Sequence, residues 1–284
     1  MSHTLHSHGD PMGSRGGTVD RIPDVTDFPE TSSGVVRALF MSASAATGVA
    51  ATFFLFDGMP LHTALMWLLF PLAFAGGLLS TWSPCGYSSV CLLRPNGAYS
   101  LRSVVAWIPT LGAHAVGYAA GGILLGGTLG FAGYYLGIGT LHSYAIPAFA
   151  AALVLYGAHQ FGFLCVPYPQ RRCQVPHDAR QRFPKWVIGL LYGFSLGLNY
   201  LTYVQTPLLY AVTGAALFSG SVIFAIAIFL VFNLGRFLPL MANGLPVSDV
   251  RITAWLARNQ ERAATVDAAL LVGAGFAIGA LLLV

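Results

Sequence analysis

Two thiols stand in a stretch of chain that carries no charge. From Gly58 to Leu93 there is no Lys, Arg, Asp or Glu, and the centre of the stretch reads Phe74-Ala-Gly-Gly-Leu-Leu-Ser-Thr-Trp-Ser83-Pro84-Cys85-Gly86-Tyr-Ser-Ser-Val-Cys91. A thiol attacks a disulfide only as its thiolate, and apolar burial holds it protonated. Pro84 can offset this. It has no N–H to donate and breaks a helix running through it, and amides exposed where a helix restarts favour an anion. Broken backbone at membrane depth is tolerated where it is buried in protein or lines a wet cavity. Ser83, Pro84 and Cys85 therefore mark a candidate redox site, set against the plainer reading of a kinked helix with an inert, buried Cys. Cys91 is the second candidate redox thiol. Six residues further on, it lies well round a regular helix and roughly 9 Å along it. A disulfide needs Cα atoms within about 7 Å, so a Cys85–Cys91 bridge requires the chain to fold back at the break.

Other residues offer weaker chemistry. Cys165 and Cys173 lie near His177, but the spacing is not that of a zinc site and lacks a fourth ligand. No metal site is expected there or at His3, His6 and His8, which fall in a polar tail. His114 and His159 fall inside apolar runs, where an ionisable residue is a functional candidate by default. The plainer reading is a neutral His bonded to a neighbouring helix. Asn199, Gln205 and Asn233 are expected to act as polar glue between helices. Gln205 and Thr206, beside Pro207, could line a cavity opposite Cys85. No Asp or Glu falls in the interior of an expected span, which argues against a carboxylate-driven proton pump. No phosphate-binding loop, dinucleotide fingerprint or hydrolase triad is evident, and no cofactor is implied.

The elements that must position these residues are membrane helices. The 284 residues are 56% hydrophobic and 8% charged, against about 25% charged in a soluble domain. This is the composition of an integral membrane protein embedded in a lipid bilayer. The net charge of +4 reflects where the arginines lie, and no basic run is interleaved with aromatics as nucleic-acid binding would need. Residues 1–34 are polar and read as a disordered tail, with no pattern for a cleaved signal peptide. Residues 35–284 read as one transmembrane domain.

A span needs about 20 apolar residues, and seven are expected: 36–56, 64–93, 103–130, 144–166, 186–214, 220–243 and 266–284. The first is rich in small residues (Ser42, Ser44, Ala45, Ala46, Gly48) suited to close packing. The second and fifth are long and contain Pro84 and Pro207. All fourteen Lys and Arg then precede or open span one, lie in every second connection, or, for Arg236, stand at the end of span six. The positive-inside rule places the N-terminus in the cytoplasm and the C-terminus on the far side. The connection 246–267 is partly amphipathic around Trp255 and is expected to lie along the inner membrane surface.

Residues 64–166 and 186–284 form two three-span halves of opposite orientation, each opening on a Pro-broken helix, with span one added in front. Paired broken helices in inverted halves point to a site near the midplane. The fold expected is all-α: a polytopic protein of one extra helix plus two inverted three-helix repeats.

Gly76-Gly77-Leu-Leu-Ser80 leading to Ser83-Pro84-Cys85 resembles the first reactive helix of the CcdA/DsbD membrane thiol-transfer family. That resemblance covers roughly residues 64–284. It implies electron transfer from a cytoplasmic thioredoxin-like protein to thiols on the far side, through one Cys in each half. The second half departs from the pattern. Gly193-Phe194-Ser-Leu-Gly197-Leu198 continues to Gln205-Thr206-Pro207 without a Cys, and none occurs from Gln174 to Val284. Within this group, Leu79-Ser-Thr-Trp-Ser-Pro-Cys-Gly-Tyr-Ser-Ser followed by Leu92-Leu-Arg-Pro95, with the polar front tail and extra first helix, resembles the MauF family of methylamine-utilisation membrane proteins. The resemblance implies an inner-membrane accessory protein rather than an enzyme. It would assist maturation or export of periplasmic methylamine dehydrogenase subunits, with Cys85 as the thiol that exchanges. The competing expectation is a permease for a metal ion or small solute on the same scaffold.

Overall fold

Apolar runs punctuated by Pro, Gly and small hydroxyl residues fold into eight α-helices among the described residues, with no strand. The computed structural model describes residues 33–283 apart from 84–85, 87–88, 91–92, 96–98, 139–141, 168–182 and 205. The polar tail to residue 32, Pro84, Cys85, Cys91, Cys173, His177 and Gln205 thus lie outside the described residues.

Ser33 opens α1 (Gly34–Leu55) by accepting a hydrogen bond from the Val36 amide. Helix α2 (Leu61–Leu79) starts behind Pro60 and tightens into a 3₁₀ turn, Ser80–Trp82. A reciprocal pair of Ser100 and Ser103 caps α3 (Leu101–Tyr135). Then come α4 (His142–Gln160), α5 (Lys185–Gly197) and α6 (Leu208–Phe218). Helix α7 (Val222–Phe237) runs into a 3₁₀ segment, Leu238–Gly244, and α8 (Asp249–Leu281) closes the chain.

Five helices among these residues are long and apolar enough to cross a membrane: Gly34–Leu55, Leu61–Trp82, Leu101–Tyr135, Val222–Gly244 and Val250–Leu281. The chain is a helical membrane protein. Helix α4 is 19 residues long, but His142, Ser143, His159 and Gln160 make its ends polar.

The expected fifth span, 186–214, is not one helix broken at Pro207. It is α5 and α6, of 13 and 11 residues, about 20 and 16 Å long and each short of the roughly 30 Å hydrocarbon core. The helix stops at Gly197, ten positions before Pro207, because Asn199 turns into the left-handed region with φ 53°, a conformation Asn tolerates. The surface segment expected at 246–267 is also corrected. Residues 249–281 form one helix, and no Gly or Pro interrupts the sequence from Asp249 to Val272.

Helix α3 packs along α5 and α7, α2 along α7, and α8 along both α4 and α1. These contacts are close because small residues face one another. A Cβ on Gly48 would collide with the Gly273 carbonyl, and one on Gly77 with the Phe232 carbonyl. Thr52, buried in the same α1–α8 seam, donates to the Ala277 carbonyl at 3.1 Å. The core gathers Leu69, Leu72 and Ala73 of α2, Phe149 and Leu153 of α4, most of α6, and Ile228, Phe229, Phe232, Leu271 and Ile278 of α7 and α8. The outward faces of α1 and α3 expose Leu39, Phe53, Phe54, Ile108, Val116 and Phe131. A soluble protein would hide such a surface; a bilayer solvates it.

Candidate functional site

In each interrupted segment the residue ahead of the Pro carries a hydroxyl: Ser83 before Pro84, and Thr206 before Pro207 where α6 starts. After the 3₁₀ turn, Ser83 is extended, with φ −79° and ψ 154°, as the residue before a proline prefers. Its side chain is fully buried, donates to the Ser80 carbonyl at 2.5 Å and accepts from the Gly86 amide at 3.3 Å. The second bond is of the kind that an N-cap hydroxyl makes with the amide three residues on. In the other break, Thr206 precedes Pro207, and its hydroxyl accepts from the Leu208 amide at 3.2 Å. Both Thr206 and Pro207 are buried at the start of α6. By register, Leu208 stands where Cys85 stands in the first break. Leu208 is fully buried, and a Cβ on Gly76 of α2 would press on it.

The two breaks meet on α8. Asp267, at the middle of that helix and 2% exposed, accepts hydrogen bonds from Thr206 Oγ1 at 2.5 Å and from Gln160 Nε2 of α4 at 2.8 Å. Leu79, Trp82 and Thr206 line a pocket of about 20 Å³ with Gln160, Gln260 and Asp267. About three turns earlier on α8, the Trp82 indole N–H donates to the Leu256 carbonyl at 2.9 Å, and its ring lies 5.6 Å from that of Trp255. Trp82 and Trp255 also wall a groove of about 740 Å³ bordered by the exposed Arg251 and Arg258.

A second polar cluster ties off the end of α5. Arg236 of α7, 2% exposed, donates through Nη1 to the Leu196 carbonyl at 2.8 Å and to Asn199 Oδ1 at 2.9 Å, and through Nη2 to Thr202 Oγ1 at 3.4 Å. Asn233 donates to the carbonyls of Tyr118 and Gly197, at 3.1 and 3.0 Å, and its Oδ1 accepts from Asn199. No carboxylate pairs with Arg236 among the described residues. Its charge sits against the last carbonyls of α5, where the helix dipole is negative. His114 is buried nearby, with Nδ1 2.8 Å from the Gly189 carbonyl and its ring edge-on to Tyr118.

The structure therefore places Thr206 on one pocket with Leu79 and Trp82, in the segment that leads to Cys85. Ser83 lies at the mouth of the first break. Cys85, Cys91, Pro84 and Gln205 are outside the described residues, and Cys165, beyond the end of α4, is an exposed free thiol. Asn199 and Asn233 join helices as polar glue, and His114 bonds a neighbouring helix. Sequence reasoning missed Asp267: the expectation of no carboxylate inside a span fails because α8 begins at Asp249, not near 266. The available signal was the small or polar face Gln260, Ala263, Ala264 and Asp267, at helical spacing. Arg236, expected as a near-side charge at the end of span six, is buried in the last turn of α7.

Comparison with known proteins gives a consistent result. The chain is 56% identical over 268 residues to "Methylamine utilization protein MauF" of Paracoccus versutus, covering 93% of this chain and 96% of that one. The MauF proteins of Methylorubrum extorquens and Methylobacillus flagellatus are each 54% identical over 259 and 265 residues, covering 91% and 93% of both chains respectively. No family model and no solved structure matches the chain.

Proposed function

The chain belongs to the MauF family, and from that membership we propose that it is an inner-membrane accessory protein of methylamine utilisation. Its role is to support maturation of periplasmic methylamine dehydrogenase by thiol–disulfide exchange at Cys85, on a scaffold related to the CcdA/DsbD thiol-transfer proteins. The observation that carries this reading is the junction at Asp267, where the Ser83 and Thr206 breaks converge on one helix.

The scaffold proposed has seven crossings in two inverted repeats behind α1, with the N-terminus cytoplasmic and the C-terminus periplasmic. The helix pairings support the repeat. Exchanging α2 with the α5–α6 pair, α3 with α7 and α4 with α8 turns the α3–α5 contact into the α7–α2 contact. It leaves α3–α7 and α4–α8 unchanged. The Ser83-Pro84 and Thr206-Pro207 elements exchange under the same operation. The second repeat holds Leu208 in place of a thiol, so the relay runs through the first repeat.

In the reaction proposed, the Cys85 thiolate attacks one sulfur of a partner's disulfide. The S–S bond breaks, and the displaced sulfur leaves as a thiolate and takes up a proton. A second thiol of the chain, Cys91, brought to Cys85 by a fold-back of the chain at the Pro84 break, then attacks the mixed disulfide and releases the partner as a dithiol. Two electrons have left the chain as a Cys85–Cys91 disulfide, which a cytoplasmic thioredoxin-like dithiol reduces again. The test is alkylation trapping of Cys85 in cells, with the other three cysteines replaced by Ser and dehydrogenase maturation assayed in parallel in Cys85→Ser. A trapped mixed disulfide together with loss of maturation supports exchange. A permanently free thiol with normal maturation in Cys85→Ser removes the redox role.

A further inference from the structure

Asp267 is the one buried carboxylate at the junction, and thiol exchange as written above does not use it. A carboxylate ion removed from water is costly unless it is paired or neutralised. Its bonded partners are a hydroxyl and an amide, and no cation pairs with it among the described residues. Arg37 of α1 donates instead to the Phe161 carbonyl at 3.3 Å, His159 of α4 is tied to the Leu164 carbonyl, and Tyr210 of α6 stacks on Tyr156. On α8 itself, Glu261 and Arg262 lie on the exposed face. Trp82, from the first break, brings no charge.

The bonding set accommodates a proton. The Thr206 hydroxyl is both donor and acceptor, so it donates to a carboxylate and accepts from a carboxylic acid without moving. The adjoining pocket, of about 20 Å³, exceeds the roughly 10–15 Å³ that one water needs. Gln160, Thr206 and Gln260 supply polar walls for such a water. Gln260 lies two turns before Asp267 on the same face of α8, towards the end of the helix that carries Arg251, Arg258 and Arg262.

We propose that Asp267 is a proton-binding site, exchanging its proton with near-side water past Gln260 and holding the second helix break to α8 through Thr206. The inference is independent of the thiol chemistry: it requires only the junction, and it would stand if Cys85 proved inert. Its consequence is mechanical. Helix α8 grips both breaks, the first through the Leu256 carbonyl and the second through Asp267. Ionisation places a charge in the buried seam between them.

The probe is dicyclohexylcarbodiimide, an apolar reagent that requires a protonated carboxyl. The acid proton passes to a carbodiimide nitrogen, the carboxylate oxygen adds to the central carbon, and the adduct rearranges to a stable acylurea. The full chain in liposomes is treated across a series of pH values and the modified peptides are identified by mass spectrometry. The expected result is modification at Asp267 whose rate falls as pH rises. Asp267→Asn loses the label at this position, Asp267→Glu keeps an acid-dependent label, and replacing choline chloride with sodium chloride changes nothing. Absence of the label in the wild-type chain at every pH, a rate indifferent to pH, or protection by sodium would each overturn the proposal. Protection by sodium would make the site one for a metal cation.

Discussion

Thr206 and Asp267 lie 61 positions apart in sequence and 2.5 Å apart between side-chain oxygens, joining the second helix break to the middle of α8. The same hydroxyl accepts from the Leu208 amide. One side chain therefore starts α6 and fixes it to α8. A hydroxyl is the smallest group that can do both.

Thr206→Val keeps the shape and removes both functions. It leaves a buried carboxylate with one donor fewer and a buried amide without its acceptor. A stranded buried polar group costs about 1–3 kcal/mol, so thermal unfolding of the detergent-solubilised protein should shift clearly downward. Thr206→Ser should recover most of the loss. Equal stability of Val and Thr at this position would show that the bond contributes nothing net.

Arg236 can be tested by changing its shape while keeping its charge. Nη1 reaches the Leu196 carbonyl and Asn199, and Nη2 reaches Thr202. A lysine ammonium is a point charge on a flexible stem and cannot reproduce a planar fork. Arg236→Lys should cost about 1.5–3 kcal/mol, the worth of one charged hydrogen bond, read as a lower melting temperature. If Lys is as stable as Arg, the charge against the end of α5 is all that the site requires.

The breaks and the missed residues show where a sequence can be read and where it cannot. Pro84 marked the first break because its effect is local: it forces Ser83 into an extended conformation and offers a capping hydroxyl beside it. Pro207 misplaced the second. The helix there ends at Gly197, ahead of the turn at Asn199 that Arg236 and Asn233 hold from α7, and no window along α5 contains those residues. Asp267 was lost for the same reason. Hydropathy rises only after it, so the span was drawn from 266, while the partners that bury it, Thr206 and Gln160, come from elsewhere in the chain. The small residues of α1 were legible because their meaning is steric. They permit the approach of Gly48 to Gly273, whichever helix supplies the partner.

That approach gives a matched pair of glycine substitutions. Gly48→Ala would drive a methyl group into the Gly273 carbonyl, and overpacking typically costs about 1–3 kcal/mol. Gly112→Ala, inside α3, meets nothing within 4 Å. It should leave stability unchanged or raise it by up to about 1 kcal/mol, the helix-propensity difference. The melting curve of Gly48→Ala should fall below wild type, and that of Gly112→Ala should stay at or above it. Coincident curves would mean that α1 and α8 are not packed at Gly48.

The number of crossings is decided by the side on which Cys165 lies. Both a five-crossing and a seven-crossing chain end on the same side, so a reporter at the C-terminus does not separate them. They differ in the connection after α4. If α4 and the α5–α6 pair cross, residues 165–185 face the cytoplasm; if neither crosses, the same residues face the periplasm. Arg171, Arg172, Arg180, Arg182 and Lys185 lie in this stretch, and the positive-inside rule assigns such a cluster to the cytoplasm. Cys165 is an exposed thiol beside it. With the other three cysteines replaced by Ser, a membrane-impermeant maleimide should leave Cys165 unlabelled in intact spheroplasts and label it in inverted vesicles. Labelling from the outside would reduce the crossings to five, and with them remove the inverted repeat on which the relay through Cys85 is built.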